Sequence, residues 1–249
     1  MSLVKIRGVI IKQSDYGEGN RILNIFTKEQ GIIRAVLYGA KSPKNRNGAP
    51  AQFLTYADFM LSNSGRDMFT VRSCEPIECF FTIQEDIEKL ALCSYFADLS
   101  YTLINLNSAD ENMLNLLLNC FYALAYKDID KEKIKAVFEL RAAAYAGYMP
   151  NLYRCTRCLS NDNITAFSPK NGGIVCSDCA SAEDFAINAG IYHALRYILT
   201  SEEKKMLSFT ASEQVMKSVS DIAEKYILLH TEKSFKSLEY YKKISVKAK

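Results

Sequence analysis

Over the first eighty residues, apolar and polar positions alternate in short runs. LVKIRGVIIKQ sets Val4 and Ile6 against Lys5 and Arg7, the period of two expected of a strand with one buried face. NRILNIFTKE, GIIRAVLYGA, QFLTYADFMLS and DMFTVRSC follow, each rich in β-branched and aromatic residues. The turn-forming stretches DYGEGN, KEQG, KSPKNRNGAP and SNSGRD separate them. Five short strands without a helical period predict a small closed barrel, because closure removes exposed strand edges. A strand number of five favours an OB-fold over a sandwich.

The period changes at Thr82. Thr82 and Glu85 stand at capping-box spacing, ahead of an apolar stripe at Ile87, Ala91, Tyr95, Leu99, Leu103 and Leu106. Ser108 and Glu111 repeat the device before Leu114, Leu117, Leu118 and Phe121. KEKIKAVFELRAAAYAGYM predicts a third helix, stopped by Gly147 and Pro150. INAGIYHALRYIL reads as another, and Thr200 with Glu203 and Thr210 with Glu213 mark two further starts. The last of these carries Val215, Val219, Ile222 and Tyr226. The basic tail YYKKISVKAK shows no period and is expected to be loose. The chain is thus expected to be an α+β multidomain protein. Its expected parts are an OB-fold barrel at 1–81, a helical domain beginning at 82–152, a four-cysteine insert at 153–181, and the rest of the helical domain with the tail at 182–249.

Composition narrows the setting. The 249 residues are 49% hydrophobic and 24% charged with a net charge of +3, so attraction to nucleic acid must come from local clustering. The N-terminus lacks a signal-type apolar core, and no run approaches the roughly 18 apolar residues of a membrane span. A cytoplasmic protein with reduced thiols is expected. Of eight cysteines, Cys74, Cys79, Cys93 and Cys120 lie among apolar neighbours and read as small buried hydrophobes. The other four crowd into CTRCLSNDNITAFSPKNGGIVCSDC.

In that segment Cys155 and Cys158 form one C-x-x-C, and Cys176 and Cys179 a second. The interval between them falls within the zinc pattern. Two thiolates on one tight turn can point at a common centre, and a second turn completes a tetrahedron of sulfur ligands. The intervening sequence reads as a hairpin, with Gly172 and Gly173 supplying positive φ and an exposed FSPKNGG turn. A redox pair usually needs one C-x-x-C in a βαβ setting, and disulfides suit an oxidising compartment. Four thiolates accept iron as well as zinc, and one structural zinc ion is the expected occupant. Four protein ligands leave no open position for activating water. His193 and His230, the only histidines, are not needed as ligands.

No catalytic constellation stands out, and a non-enzymatic protein is expected. The phosphate-loop, H-E-x-x-H and G-x-S-x-G motifs are absent. GEGNRI has Ile22 where the last glycine of a dinucleotide fingerprint belongs. Glu85 and Asp86 suit a first helical turn. Residues 1–80 carry eleven Lys or Arg against seven Asp or Glu. Their richest stretch holds Arg34, Lys41, Lys44 and Arg46 without an acid. A long, flexible basic loop on a barrel is well placed to follow a phosphate backbone, with Arg21, Arg66 and Arg72 adding charge and Tyr38 and Tyr56 offering stacking faces. On charge alone, a solvated lysine-rich loop fits as well.

DYGEGNRILNIFTKEQGIIRAVLYGAKSPKNR is similar to the N-terminal signature of the bacterial RecO recombination-repair family. FELRAAAYAGYMPNLYRCTRC followed by AFSPKNGGIVCSDC resembles that family's junction of helix and zinc module. The resemblance implies an N-terminal OB-fold, a helical domain and an inserted zinc module. It also implies binding of single- and double-stranded DNA and annealing of complementary strands without ATP. The implied partners are RecR, the C-terminal tail of single-stranded-DNA-binding protein and, indirectly, RecA, in a cytoplasmic, nucleoid-associated setting. DNA contact is carried onto Arg21, Arg34, Lys41, Lys44 and Arg46, which fall inside the matching stretch. The alternative is a non-enzymatic protein-interaction scaffold with a structural zinc site.

Overall fold

The alternating N-terminal segment forms five strands: β1 (Ser2–Tyr16), β2 (Asn20–Thr27), β3 (Gly31–Leu37), β4 (Tyr56–Asn63) and β5 (Phe69–Glu78). In this computed structural model residues 2–63, 68–104 and 109–247 are described. Arg66, Leu106 and Ser108, each given a role above, lie outside the described residues.

The strands close into a barrel in the order β1-β2-β3-β5-β4, with β1 also paired to β4, the closed five-stranded arrangement expected of an OB-type fold. All pairs are antiparallel except β3 with β5, where Ala35 faces Phe69 and Val36 faces Thr70 in parallel register. Inward residues such as Ile6, Ile10, Leu23, Ile25, Ile33, Ala35, Phe59 and Leu61 fill the interior. Along β2 and β3 the outward positions Ile22, Phe26, Ile32 and Val36 are buried as well. That wall of the barrel is therefore largely covered, with Arg34 its exposed position on β3.

Five further elements complete the first of two compact units, which holds residues 1–126 and 235–249. They are the barrel-closing loop at 38–55 and helices α1 (Phe81–Gln84), α2 (Ile87–Leu103), α3 (Glu111–Tyr126) and α7 (Lys236–Lys247). Thr82 does not cap the long helix. Asp86 does, accepting from the backbone N–H of Glu88 and Lys89, because a carboxylate at N-cap reaches two of the orphan donors. Asp110 likewise accepts from Met113 N at 2.9 Å ahead of α3. Helix α2 is buried at consecutive positions, including Ala91, Leu92, Cys93, Tyr95, Phe96 and Ala97, so a single stripe underestimates its contacts. As far as Lys247, the last described residue, the tail is helical and not loose. Phe235, Leu238 and Tyr241 are buried, Phe235 meets Tyr95 edge-on at 5.6 Å, and Ser237 donates to Asp98 at 2.7 Å.

The second unit, residues 127–234, contains α4 (Lys131–Tyr145), α5 (Ala189–Thr200) and α6 (Glu213–Thr231). It also holds a small sheet of β6 (Ile164–Ser168), β7 (Gly173–Cys176) and β8 (Phe185–Ala186) in the order β7-β6-β8. Helix α4 ends in a Schellman motif: Tyr148 N donates to Ala143 O and Gly147 N to Ala144 O, with Gly147 at φ +94°. Ser212, not Thr210, caps α6 by accepting from Val215 N, and Thr200 ends α5 instead of starting a helix. Among the described residues no helix is long and apolar enough to cross a membrane.

Helix α4 buries charge. Lys135 is 2% exposed and pairs with Glu139 at 3.1 Å and Glu224 at 2.9 Å. Burial lowers the Lys135 pKa, but Glu139, Glu224 and Glu132 more than offset it, so it lies above the usual lysine value. Arg141 donates from Nε to Ile198 O at 2.8 Å and from Nη2 to Ser201 Oγ at 2.9 Å, tying the C-terminus of α5 to α4. Lys135→Ala removes the ammonium beside a fully buried Glu139 and should lower stability by about 3–5 kcal/mol in urea denaturation. The double change Lys135→Met with Glu139→Leu should recover most of that loss, since Glu224 reaches solvent.

Candidate metal centre and nucleic-acid interface

The second unit holds the cysteine cluster. The thiols of Cys155, Cys158, Cys176 and Cys179 all lie within 4.8 Å of one another, and Cys158 Sγ is 3.6 Å from Cys176 Sγ. A tetrahedron with metal–sulfur bonds of about 2.3 Å has edges of about 3.8 Å. A disulfide needs about 2.05 Å, and all eight cysteines are free. The donor set and spacing therefore fit one tetrahedral ion.

Both turns are built alike. Leu159 N donates to Cys155 O and Ala180 N to Cys176 O, each at 2.9 Å. Leu159 adopts φ +68°, a left-handed turn that closes the first loop without glycine. Burial raises the Cys155 thiol, but backbone donation from Cys158, Cys176 and Arg157 outweighs it and brings the group to about 6. Hydrogen bonding to Cys176 and Cys158 pushes Cys179 up to about 12. A bound cation favours the thiolate at all four.

Arg157, between the first two cysteines, was not singled out from the sequence, yet it joins every part of the insert. It donates to Asn171 Oδ1 at 3.0 Å, to Ser168 Oγ at 3.3 Å and to Cys179 O, and pairs with Asp184 at 2.9 Å. Asp184 in turn accepts from Ser181 N and Oγ. Its carboxyl is raised by burial but lowered further by Ser168, Ser181 and Arg157, for a net shift below the usual range. The expected exposed turn is exposed only at Lys170 and Asn171, while Phe167, Ser168, Pro169 and Gly173 are buried.

The two glycines differ. Gly172 has φ +71° as expected, but Gly173 does not have positive φ. Its missing side chain serves close approach, since a Cβ there would lie 2.3 Å from Asn151 O. Asn151 bridges Gly173 in parallel, and Ile174 N donates to Asn151 O at 3.0 Å. This lays the chain entering the first cysteine turn beside β7.

In the first unit the predicted basic residues lie on β2, β3 and the loop at 38–55. Arg21 opens β2, and Lys41, Lys44 and Arg46 lie on the loop at 38–55, all three exposed. Arg34 is the one exposed residue of β3, opposite Asn24. Tyr38 is 53% exposed, whereas Tyr56 is half-buried. Arg72 donates to Ser62 Oγ at 2.9 Å. The loop is not a flexible tether but a folded plug. Ala40 and Ala51 join the barrel core, and Asn47 bridges to β5 by donating to Arg72 O and accepting from Cys74 N. Gln13 donates to Ala51 O at 2.8 Å, and Lys41 N donates to Gly19 O at 3.1 Å. Local sequence did not reveal this order, because Asn47 reaches β5, a partner distant in the chain.

The family profile described as "Recombination protein O N terminal" matches residues 1–80, and the one described as "Recombination protein O C terminal" matches residues 84–239. A DNA repair protein RecO of Acetivibrio thermocellus is 35% identical over 246 residues, covering 97% of each chain. That of Alkaliphilus metalliredigens is 30% identical, covering 97% of this chain and all of its own. The Oceanobacillus iheyensis protein is 33% identical over 227 residues, covering 90% of this chain and 81% of the relative.

The glycine pair gives a direct test of the insert. Gly172→Ala should cost about 1–2 kcal/mol, the usual price of a left-handed residue. Gly173→Ala should cost about 3 kcal/mol, at the upper end of overpacking, because the clash is with backbone. Thermal denaturation of the two variants ranks them.

Proposed function

The chain belongs to the RecO family, and from that premise we propose that it acts in DNA repair as a recombination mediator. On this reading it binds single- and double-stranded DNA and anneals complementary strands without ATP. With RecR it assists RecA loading on gaps coated by single-stranded-DNA-binding protein. The observation that carries the reading is the ordered rim loop, which presents Lys41, Lys44 and Arg46 from a rigid support beside Arg21. Arg34 extends the contact along β3. The action is electrostatic and not catalytic. Cations replace counterions on two strands and reduce their mutual repulsion, so complementary bases meet more often. Residues 1–81 serve as the nucleic-acid-binding module.

We assign Cys155, Cys158, Cys176 and Cys179 as ligands of one structural zinc ion. The supporting observations are the tetrahedral sulfur spacing and a donor set without an open position. The tail of single-stranded-DNA-binding protein is assigned to the second unit. There Met149, Leu152, Tyr153 and Leu199 line a groove beside Arg196, a combination suited to an acidic, apolar-ended peptide.

Reversing Lys41, Lys44 and Arg46 to Glu should weaken single-strand binding at least about tenfold at low salt. It should also flatten the salt dependence by roughly 2 in log–log slope, about 0.7 per lost phosphate contact. Fluorescence anisotropy measures both, and a wild-type affinity that ignores salt contradicts the reading. Metal analysis should find one zinc per chain, and Cys176→Ser should lose it and melt earlier.

A further inference from the structure

The start of β2 and the rim loop wall a concavity lined by Arg21, Lys41, Asn45 and Gln52. Its polar groups are held in place. Arg21 Nη1 donates to Gln52 Oε1 at 3.4 Å, and Gln52 Nε2 donates to Gly48 O at 2.7 Å. Asn45 Nδ2 donates to Tyr38 O at 2.7 Å. Lys41 is anchored through its backbone, while its ammonium turns back to Asp15 at 2.8 Å.

Asp15 sets an anion against Lys41, one of the residues that line this concavity. Both partners are largely exposed, at 66% for Asp15 and 45% for Lys41, so the pair contributes little to folding. The carboxyl is held below its usual range by the hydrogen bond and charge of Lys41, with Arg21 adding to the effect. The field that a strand's phosphate would enter is therefore already used by a carboxylate of the chain itself.

We propose that this concavity seats one phosphodiester group of a bound strand, and that Asp15 occupies Lys41 in the free protein and yields it to the phosphate. The inference rests on the nucleic-acid-binding reading and adds to it a position and a competitor. Phosphate exchange leaves Asp15 bare, so it gathers a cation from solution as the strand sheds its own. That uptake cancels part of the counterion release that drives binding. Asp15 thereby limits affinity at the rim and makes the contact exchangeable, as repeated re-pairing of strands requires.

The test uses the full chain and a labelled mixed-sequence single strand, titrated by anisotropy at several salt concentrations. Wild type, Asp15→Asn, Lys41→Gln and the double variant are compared. Asp15→Asn should bind about two- to fivefold tighter, the range expected for releasing an exposed pair. Its salt slope should steepen by up to about 0.7. In the Lys41→Gln background the same change should have little effect, because the competitor then has nothing to release. An unchanged Asp15→Asn affinity, or an equal gain with and without Lys41, overturns the exchange and leaves DNA binding intact. Absence of salt-dependent binding by wild type overturns the underlying reading as well. Matching melting temperatures confirm that the exposed substitutions leave the fold unaltered.

Discussion

Closure of the barrel is the constraint on which the rim depends. This barrel closes with β3 and β5 side by side in parallel, so that β5 lies between β3 and β4. The chain must cross from the end of β3 to the start of β4 over one end of the barrel. That crossing, residues 38–55, closes the end with Ala40 and Ala51 and is pinned across to β5 by Asn47. Its basic residues therefore stand on a rigid support. A phosphate contact made from such a support loses less side-chain and loop entropy than one made from a mobile tether.

The second unit meets a different constraint with comparable economy. Its small sheet has little apolar area of its own, and Cys155, Ala166, Val175 and Cys176 make its local core. Below a certain size a core needs staples, and the four sulfurs with Arg157 and Asp184 supply them. The buried Lys135 and Glu139, with Glu224 at their edge, fix how α4 meets α6. Mispairing these helices would leave a charge without its partner.

Much of this was legible in the residues. Alternation in the first eighty residues gave five strands, and the paired C-x-x-C motifs gave the metal cluster. Helix starts were read less well. Asp86 and Ser212 took the caps assigned to Thr82 and Thr210, because several side chains near a helix start can accept the same orphan donors and only the local turn decides among them. The C-terminal helix was missed because its stripe begins at Phe235 and Leu238, upstream of the basic tail. Order in the rim loop was hidden for another reason. Asn47 bonds to β5, a partner distant in sequence, and local composition says only that such residues favour turns. Arg157 was similarly overlooked beside more conspicuous cysteines.

The central claim is that a folded basic rim lets this chain bring complementary strands together without nucleotide hydrolysis. Its most direct test mixes the purified protein with complementary oligonucleotides, each coated with single-stranded-DNA-binding protein, in the absence of ATP, and follows duplex formation by fluorescence quenching. Acceleration at low salt that fades as salt rises is the result predicted. Annealing no faster than in protein-free controls at any salt concentration would contradict the account.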